Sequence, residues 1–294
     1  MQRSYFLKVL VALSFASTMK LNDLYSTVTS FRKSDKMPVL FVGHGSPMNA
    51  LEDNAFTQTL QNLGQQLRLD HPPTAILVVS AHWLTKGSFA TLNPMPETIH
   101  DFGGFPQALF DMQYPAPGSP ELAQQLIDRV PDVHGSDEWG LDHGSWTILH
   151  HLFPNADIPV FQLSLDYTKP LAYHFELAQQ LQFLRERGVL ITGSGNIVHN
   201  LRLSVPKLMM NDNTPHDWAV EFDSWVKNKI NQRDFRSLVN YHQIGQAGAL
   251  SVPTVDHYLP MLYSLGATDA KEPIKQVFEE VSYGGLSMRT FMAG

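Results

Sequence analysis

Three apolar runs in this chain each end in a short turn that carries a histidine, and this constrains the fold more than any other feature. Met37-Pro38-Val39-Leu40-Phe41-Val42 leads into Gly43-His44-Gly45-Ser46. Ala75-Ile76-Leu77-Val78-Val79-Ser80 leads into Ala81-His82-Trp83. Val189-Leu190-Ile191-Thr192-Gly193 leads into Ser194-Gly195-Asn196-Ile197-Val198-His199. Short runs of β-branched, aliphatic and aromatic residues bounded by turn residues predict buried strands. Helical spacing lies between them, as in Phe56, Leu60, Leu63 and Leu67. Strands alternating with helices predict a single α/β domain with a central, mostly parallel sheet covered by helices. Ligands of such sheets bind outside the carboxyl ends of the strands. That edge is where His44, His82 and His199 fall.

The remaining pattern fills in this plan. Helices are expected over 55–69, over 120–130 behind a Ser119 cap, over 145–153 with Ser145 as cap, over 170–187, over 218–230, and over 253–266 with His257 inside. A further strand is expected over 158–165. A terminal hairpin is expected from 277–281 and 286–291 around Tyr283-Gly284-Gly285. Residues 84–118 are rich in Gly and Pro and predict one long irregular loop, of the kind that lines a site.

No repeat or linker divides the chain, so residues 37–294 are read as one domain behind a lead-in of residues 1–36. Within the lead-in, Arg3 and Lys8 flank an apolar stretch that loosely resembles a secretory signal. The alternative is a start at Met19. The stretch is too short and interrupted for a membrane span. The reading favours a cytoplasmic protein over a periplasmic or secreted one.

Composition narrows the chemistry. The 294 residues include no cysteine, which excludes disulfides, thiolate metal sites, iron–sulfur clusters and cysteine nucleophiles. Thirteen histidines then become the candidate ligands. A net charge of −7 without a basic run argues against nucleic acid or an anionic membrane as partner. Neutral imidazoles suit iron, zinc and related divalent ions, so His44, His82, His199 and His257 are candidate ligands of one ion. On position alone, structural histidines stand as an equal alternative. Ser46 and Ser194 do not sit in Gly-x-Ser-x-Gly. Trp218 and Trp225 are read as core, and Asn196 as fixing the loop around His199. His71, His134, His150, His151, His174, His216 and His242 are read as structural or surface.

A set of segments in fixed order adds a resemblance. Gly43-His44-Gly45-Ser46-Pro47-Met48, Ser80-Ala81-His82-Trp83, Ile99-His100-Asp101-Phe102-Gly103-Gly104-Phe105-Pro106 and Tyr114-Pro115-Ala116-Pro117-Gly118 belong to it. So do Leu141-Asp142-His143-Gly144-Ser145-Trp146, Gly193 through Leu201, and His257-Tyr258-Leu259-Pro260. Together they resemble the DOPA 4,5-dioxygenases, within the class III extradiol ring-cleaving dioxygenases, over about residues 37–290. The resemblance implies a catechol substrate, O2, and one divalent metal per chain. That metal is Fe(II) for activity, with Zn(II) plausible in the purified protein. The implied best-guess reaction is cleavage of DOPA to 4,5-seco-DOPA. His44 and His82 match the family's first two ligands and His257 a third, where the wider class commonly places a carboxylate. His199 matches the acid/base histidine and is kept as both catalyst and possible ligand. His143 is expected to hydrogen-bond substrate or oxygen, and His100 and Asp101 to line the substrate pocket. Two rival readings stand beside this one: a zinc-dependent hydrolase using the same histidines to activate water, and a non-enzymatic binding protein on the same scaffold.

Overall fold

The computed structural model describes residues 36–294. The expectations for a secretory signal or a start at Met19 lie outside the described residues. The centre is a six-stranded sheet in the order β6-β2-β8-β1-β12-β9. Its strands are β1 (Val39–Gly43), β2 (Ala75–Ser80), β6 (Val160–Gln162), β8 (Val189–Gly195), β9 (Ile274–Phe278) and β12 (Thr290–Ala293). β6, β2, β8 and β1 run parallel, whereas β12 pairs antiparallel with β1 and β9 antiparallel with β12. Three two-stranded ladders complete the set. They pair β3 (Leu84–Thr85) with β7 (Leu165–Asp166), β4 (Ser88–Thr91) with β5 (Val133–Ser136), and β10 (Val281–Ser282) with β11 (Leu286–Ser287).

The central strands β1, β2, β6 and β8 are buried along their whole length and mostly apolar, because both faces are covered. Side chains alternate between faces along a strand, and here each set has its own core. Val39, Phe41, Leu77, Val79 and Ile191 pack with α4 (Leu171–Gln180), α6 (Asp217–Asn231) and α7 (Leu259–Gly266). Leu40, Val42, Ile76, Val78 and Leu190 pack with α1 (Ala55–Asp70) and α3 (His143–Leu152). Of two further helices, α2 (Pro120–Arg129) adds Ala123 and Leu126 to the first core, and α5 (Leu201–Met209) buries only Ser204. Asn54 opens α1 with a reciprocal capping box to Thr57, which satisfies two backbone donors. No helix among the described residues is long and apolar enough to cross a membrane.

Several boundaries differ from the sequence expectation. The cap of α3 is Asp142, not Ser145; the Asp142 carboxylate accepts from the Ser145 amide. Both residue types cap well, and the aspartate, three positions earlier, takes the role. α7 starts at Leu259, leaving His257 in the preceding turn; Pro260 then falls in the first helical turn, where a missing amide proton costs nothing. Ser119 precedes α2 but makes no side-chain cap. The expected 170–187 helix is interrupted at Leu181. The 158–165 strand is split into β6 and β7. The 84–118 loop contains β3, β4 and a single helical turn at Gln107–Phe110. The terminal hairpin forms in two steps, as the outer β9–β12 pair and the inner β10–β11 pair.

Candidate metal centre

Five histidines converge at the carboxyl edge of the sheet. His44 follows β1, His82 follows β2 and His199 follows β8, while His143 opens α3 and His257 precedes α7. The rings of His44, His82 and His257 form a near-equilateral triangle, with centroid separations of 5.1, 5.3 and 5.0 Å. His143 lies 3.9 Å from His82, ring to ring. His199 stacks face to face on His257 at 3.5 Å and 6°. The sheet builds this closeness by backbone crossings that only glycine permits. A Cβ on Gly193 would lie 2.3 Å from the Pro260 carbonyl oxygen, and one on Gly195 would lie 2.3 Å from that of His257.

The outer nitrogens of the triangle each face an oxygen. His44 Nδ1 lies 2.9 Å from Ser194 Oγ. The Ser194 hydroxyl proton is donated to the Gly144 carbonyl, so Ser194 accepts from His44 and His44 is protonated on Nδ1. Its Nε2 therefore carries a bare lone pair, 3.3 Å from His82 Nε2. His82 Nδ1 faces Asp101 Oδ2 at 3.4 Å. His257 Nδ1 bonds to the Asp256 carboxylate. Metal-binding histidines hold their outer N–H this way, which fixes the tautomer and aims the other nitrogen inward. Two imidazole nitrogens at about 2.05 Å from a tetrahedral ion stand about 3.3 Å apart, the spacing seen here between His44 and His82. Ring nitrogens of His44, His82 and His143 lie within 4.8 Å of one another, and the ligand atoms of His199, Asp256 and His257 form a second such group beside them; donors of these types fit a divalent metal.

The electrostatics agree with neutral ligands. Burial, reinforced by the neighbouring histidines, holds His44 well below its usual pKa. Burial and His143 push His82 down to about 2, and burial with His257 pushes His199 down to about 2. Burial alone would raise Asp101, but the close imidazole and amide of His143, with the charge of His82, outweigh it and hold that carboxyl below its ordinary value.

The rim residues have clear duties. Asp101 Oδ1 accepts from the His143 amide at 2.8 Å and lies 2.9 Å from His143 Nδ1. His143 Nδ1 is buried and makes no aligned hydrogen bond. Asp101 therefore holds His143 through its backbone amide and faces its ring. His100 gives its Nε2 to the Met112 carbonyl at 3.0 Å and packs among Phe102, Phe110 and Trp146. Phe102 meets His143 edge-on at 5.6 Å. Asn196 holds its loop by donating to the Ser287 carbonyl and accepting from the Gly45 amide. Trp218 and Trp225 are partly buried against the core. Ser194 was visible in the sequence only as a failed nucleophile motif; its role as a tautomer anchor depends on β8 lying beside β1.

Comparison with known proteins places this arrangement in the class of aromatic ring-opening dioxygenases. Residues 19–291 match the family described as the catalytic LigB subunit of aromatic ring-opening dioxygenase. A 4,5-DOPA dioxygenase extradiol of Escherichia coli (strain K12) is 48% identical over 267 residues, covering 89% of this chain and 96% of the relative. A Beta vulgaris protein of the same name is 34% identical over 256 residues, covering 85% of this chain and 94% of its own. The crystal structure of an Escherichia coli K12 protein, solved as uncharacterized, superposes with a TM-score of 0.75 at 44% identity, covering 88% of this chain and 100% of that one. The chain belongs to the LigB family and is an extradiol ring-cleaving dioxygenase.

Proposed function

We propose that this chain opens catechol rings with O2 at the histidine cluster, with 4,5-cleavage of DOPA to 4,5-seco-DOPA as the activity nearest its relatives' names. The observation that carries the reading is the facing pair of Nε2 atoms on His44 and His82, each histidine anchored from behind by an oxygen. His44, His82 and His257 hold one divalent metal. Bound there, Fe(II) supplies the redox chemistry that lets O2 react with a chelated catechol. Zn(II) suits the same donors but has no redox chemistry, so a zinc-loaded chain takes up no O2.

The remaining groups handle protons and orientation. His199, stacked on His257, takes a catechol hydroxyl proton as general base. The negative charge of a bound catecholate favours imidazolium and raises the basicity of His199 from its low resting value. His143 hydrogen-bonds the substrate or oxygen, steered by Asp101, and the His100–Phe102 wall confines the ring. Confinement directs oxygen to one carbon, a positioning effect.

The test is anaerobic loading with Fe(II), then O2 uptake and absorbance with L-DOPA and simpler catechols. Oxygen consumption with a yellow semialdehyde band is expected. A site shown by elemental analysis to be filled with iron, yet taking up no O2 with any catechol, overturns the reading in favour of a zinc hydrolase.

A further inference from the structure

Behind the histidines lies a buried carboxylate whose hydrogen bonds go to none of their rings. Asp142 is fully buried. Its Oδ1 accepts from Ser80 Oγ at 2.6 Å and from the Ser145 amide at 3.1 Å, while the Ser145 hydroxyl gives its proton to Gln162 Oε1. Its Oδ2 accepts from Trp139 Nε1 at 3.2 Å and from Gln162 Nε2 at 3.1 Å. One side chain therefore joins the end of β2, the start of α3 and β6.

Each of those connections leads to a site histidine. Ser80 Oγ also receives the His82 amide at 3.3 Å, so the Asp142–Ser80 bond sets the backbone that carries His82. Trp139 stacks on Trp83 at 5.9 Å and 2°, bracing the residue after His82. His143 follows Asp142 directly. Gly144 offers its carbonyl to Ser194, the anchor of His44. A Cβ on Gly144 would lie 2.6 Å from Ser80 Oγ and 2.8 Å from His82 Cδ2, so the His82 ring rests against a surface that only glycine leaves flat.

We infer that Asp142 is the positioning residue of the metal centre: through Ser80, Gly144 and Trp139 it sets the relative placement of His82, His143 and His44. The inference rests on the metal-site reading above. Outer partners of metal ligands change affinity by about 10- to 100-fold when removed, and Asp142 serves three histidines at once.

The experiment titrates the metal-free protein with Co(II), following its visible bands, with far-UV circular dichroism at each step. Wild type is expected to bind one ion. Asp142→Asn, which keeps the shape but turns an acceptor into a donor, is expected to bind about 10- to 100-fold more weakly, with altered bands and unchanged dichroism. Ser80→Ala is expected to show a smaller loss in the same direction. A purely structural role lowers the melting temperature but leaves affinity and bands as in wild type; that result for folded Asp142→Asn overturns the inference. If Asp142→Asn does not fold, Ser80→Ala decides: wild-type affinity and bands overturn it, and weakened binding supports it. Wild type that binds no Co(II) sinks the metal-site reading itself, a different failure.

Discussion

The Nε2 atoms of His44 and His82 face each other at 3.3 Å, and the His44 nitrogen has no proton to offer. A cation between them turns this juxtaposition into a coordination site. His82→Ala or His44→Ala is therefore expected to lower metal affinity by more than about 100-fold, the upper range for mere outer partners, and to abolish ring cleavage. Elemental analysis after dialysis checks it; stoichiometric metal retained in both variants removes them from the site.

His199 stands apart from this pair, layered on His257. As a general base it contributes to turnover, and such groups typically supply about 10²–10⁴-fold. His199→Gln is expected to lower kcat within that range while leaving KM nearly unchanged. Equal kcat in wild type and variant removes the proton-transfer role.

His174 gives a pH signature away from the metal centre. It is buried with Nδ1 3.0 Å from the Tyr263 hydroxyl, and burial pushes its pKa down to about 4. Between pH 6.5 and 4 the unfolded chain binds the proton and the folded chain does not, so stability rises with pH across that window and is lost as pH falls. From pH 7 to 5 this one group costs about 2 kcal/mol. Urea unfolding of metal-free His174→Gln should show a pH dependence shallower by about that amount. An unchanged slope assigns the acid sensitivity elsewhere.

Arg289 and Asp223 form a buried ion pair joining α6 to the bend before β12, and Ser287 donates to the same carboxylate at 2.6 Å. Removing one partner of a buried pair costs about 3–5 kcal/mol; Arg289 also pairs with Glu279 at 3.1 Å, which places the loss of Asp223 toward the low end of that range. Asp223→Ala should lose stability of that order in chemical denaturation. The double change to Asp223→Leu with Arg289→Met should recover much of it; a double variant no better than the single one contradicts the pairing.

The strands that place His44, His82 and His199 were legible because a parallel sheet covered on both faces favours short, mostly apolar runs, each closed here by a small-residue turn. The hydrophobic faces of α1 and α6 were legible for the same kind of reason. What escaped was short or relational. β4, from Ser88 to Thr91, hides among glycines and prolines because its pairing with β5 stabilises it, not its own composition. The start of α3 was misplaced because Asp142 and Ser145 carry equivalent capping signals three residues apart. Asp101, distant in sequence, accepts the His143 amide proton and faces its ring. No local pattern records which carboxylate the fold delivers.

The pairing of β1 with β12 has a temporal consequence. Val39 meets Ala293 and Val42 meets Thr290, so the strand that carries His44 gains its second neighbour only from residues far downstream of it. During translation, the growing chain presents its first two site histidines on an incomplete sheet, and long-range pairing of this kind forms late. The edge of β1 therefore stays unpaired until β12 has emerged and folded back onto it.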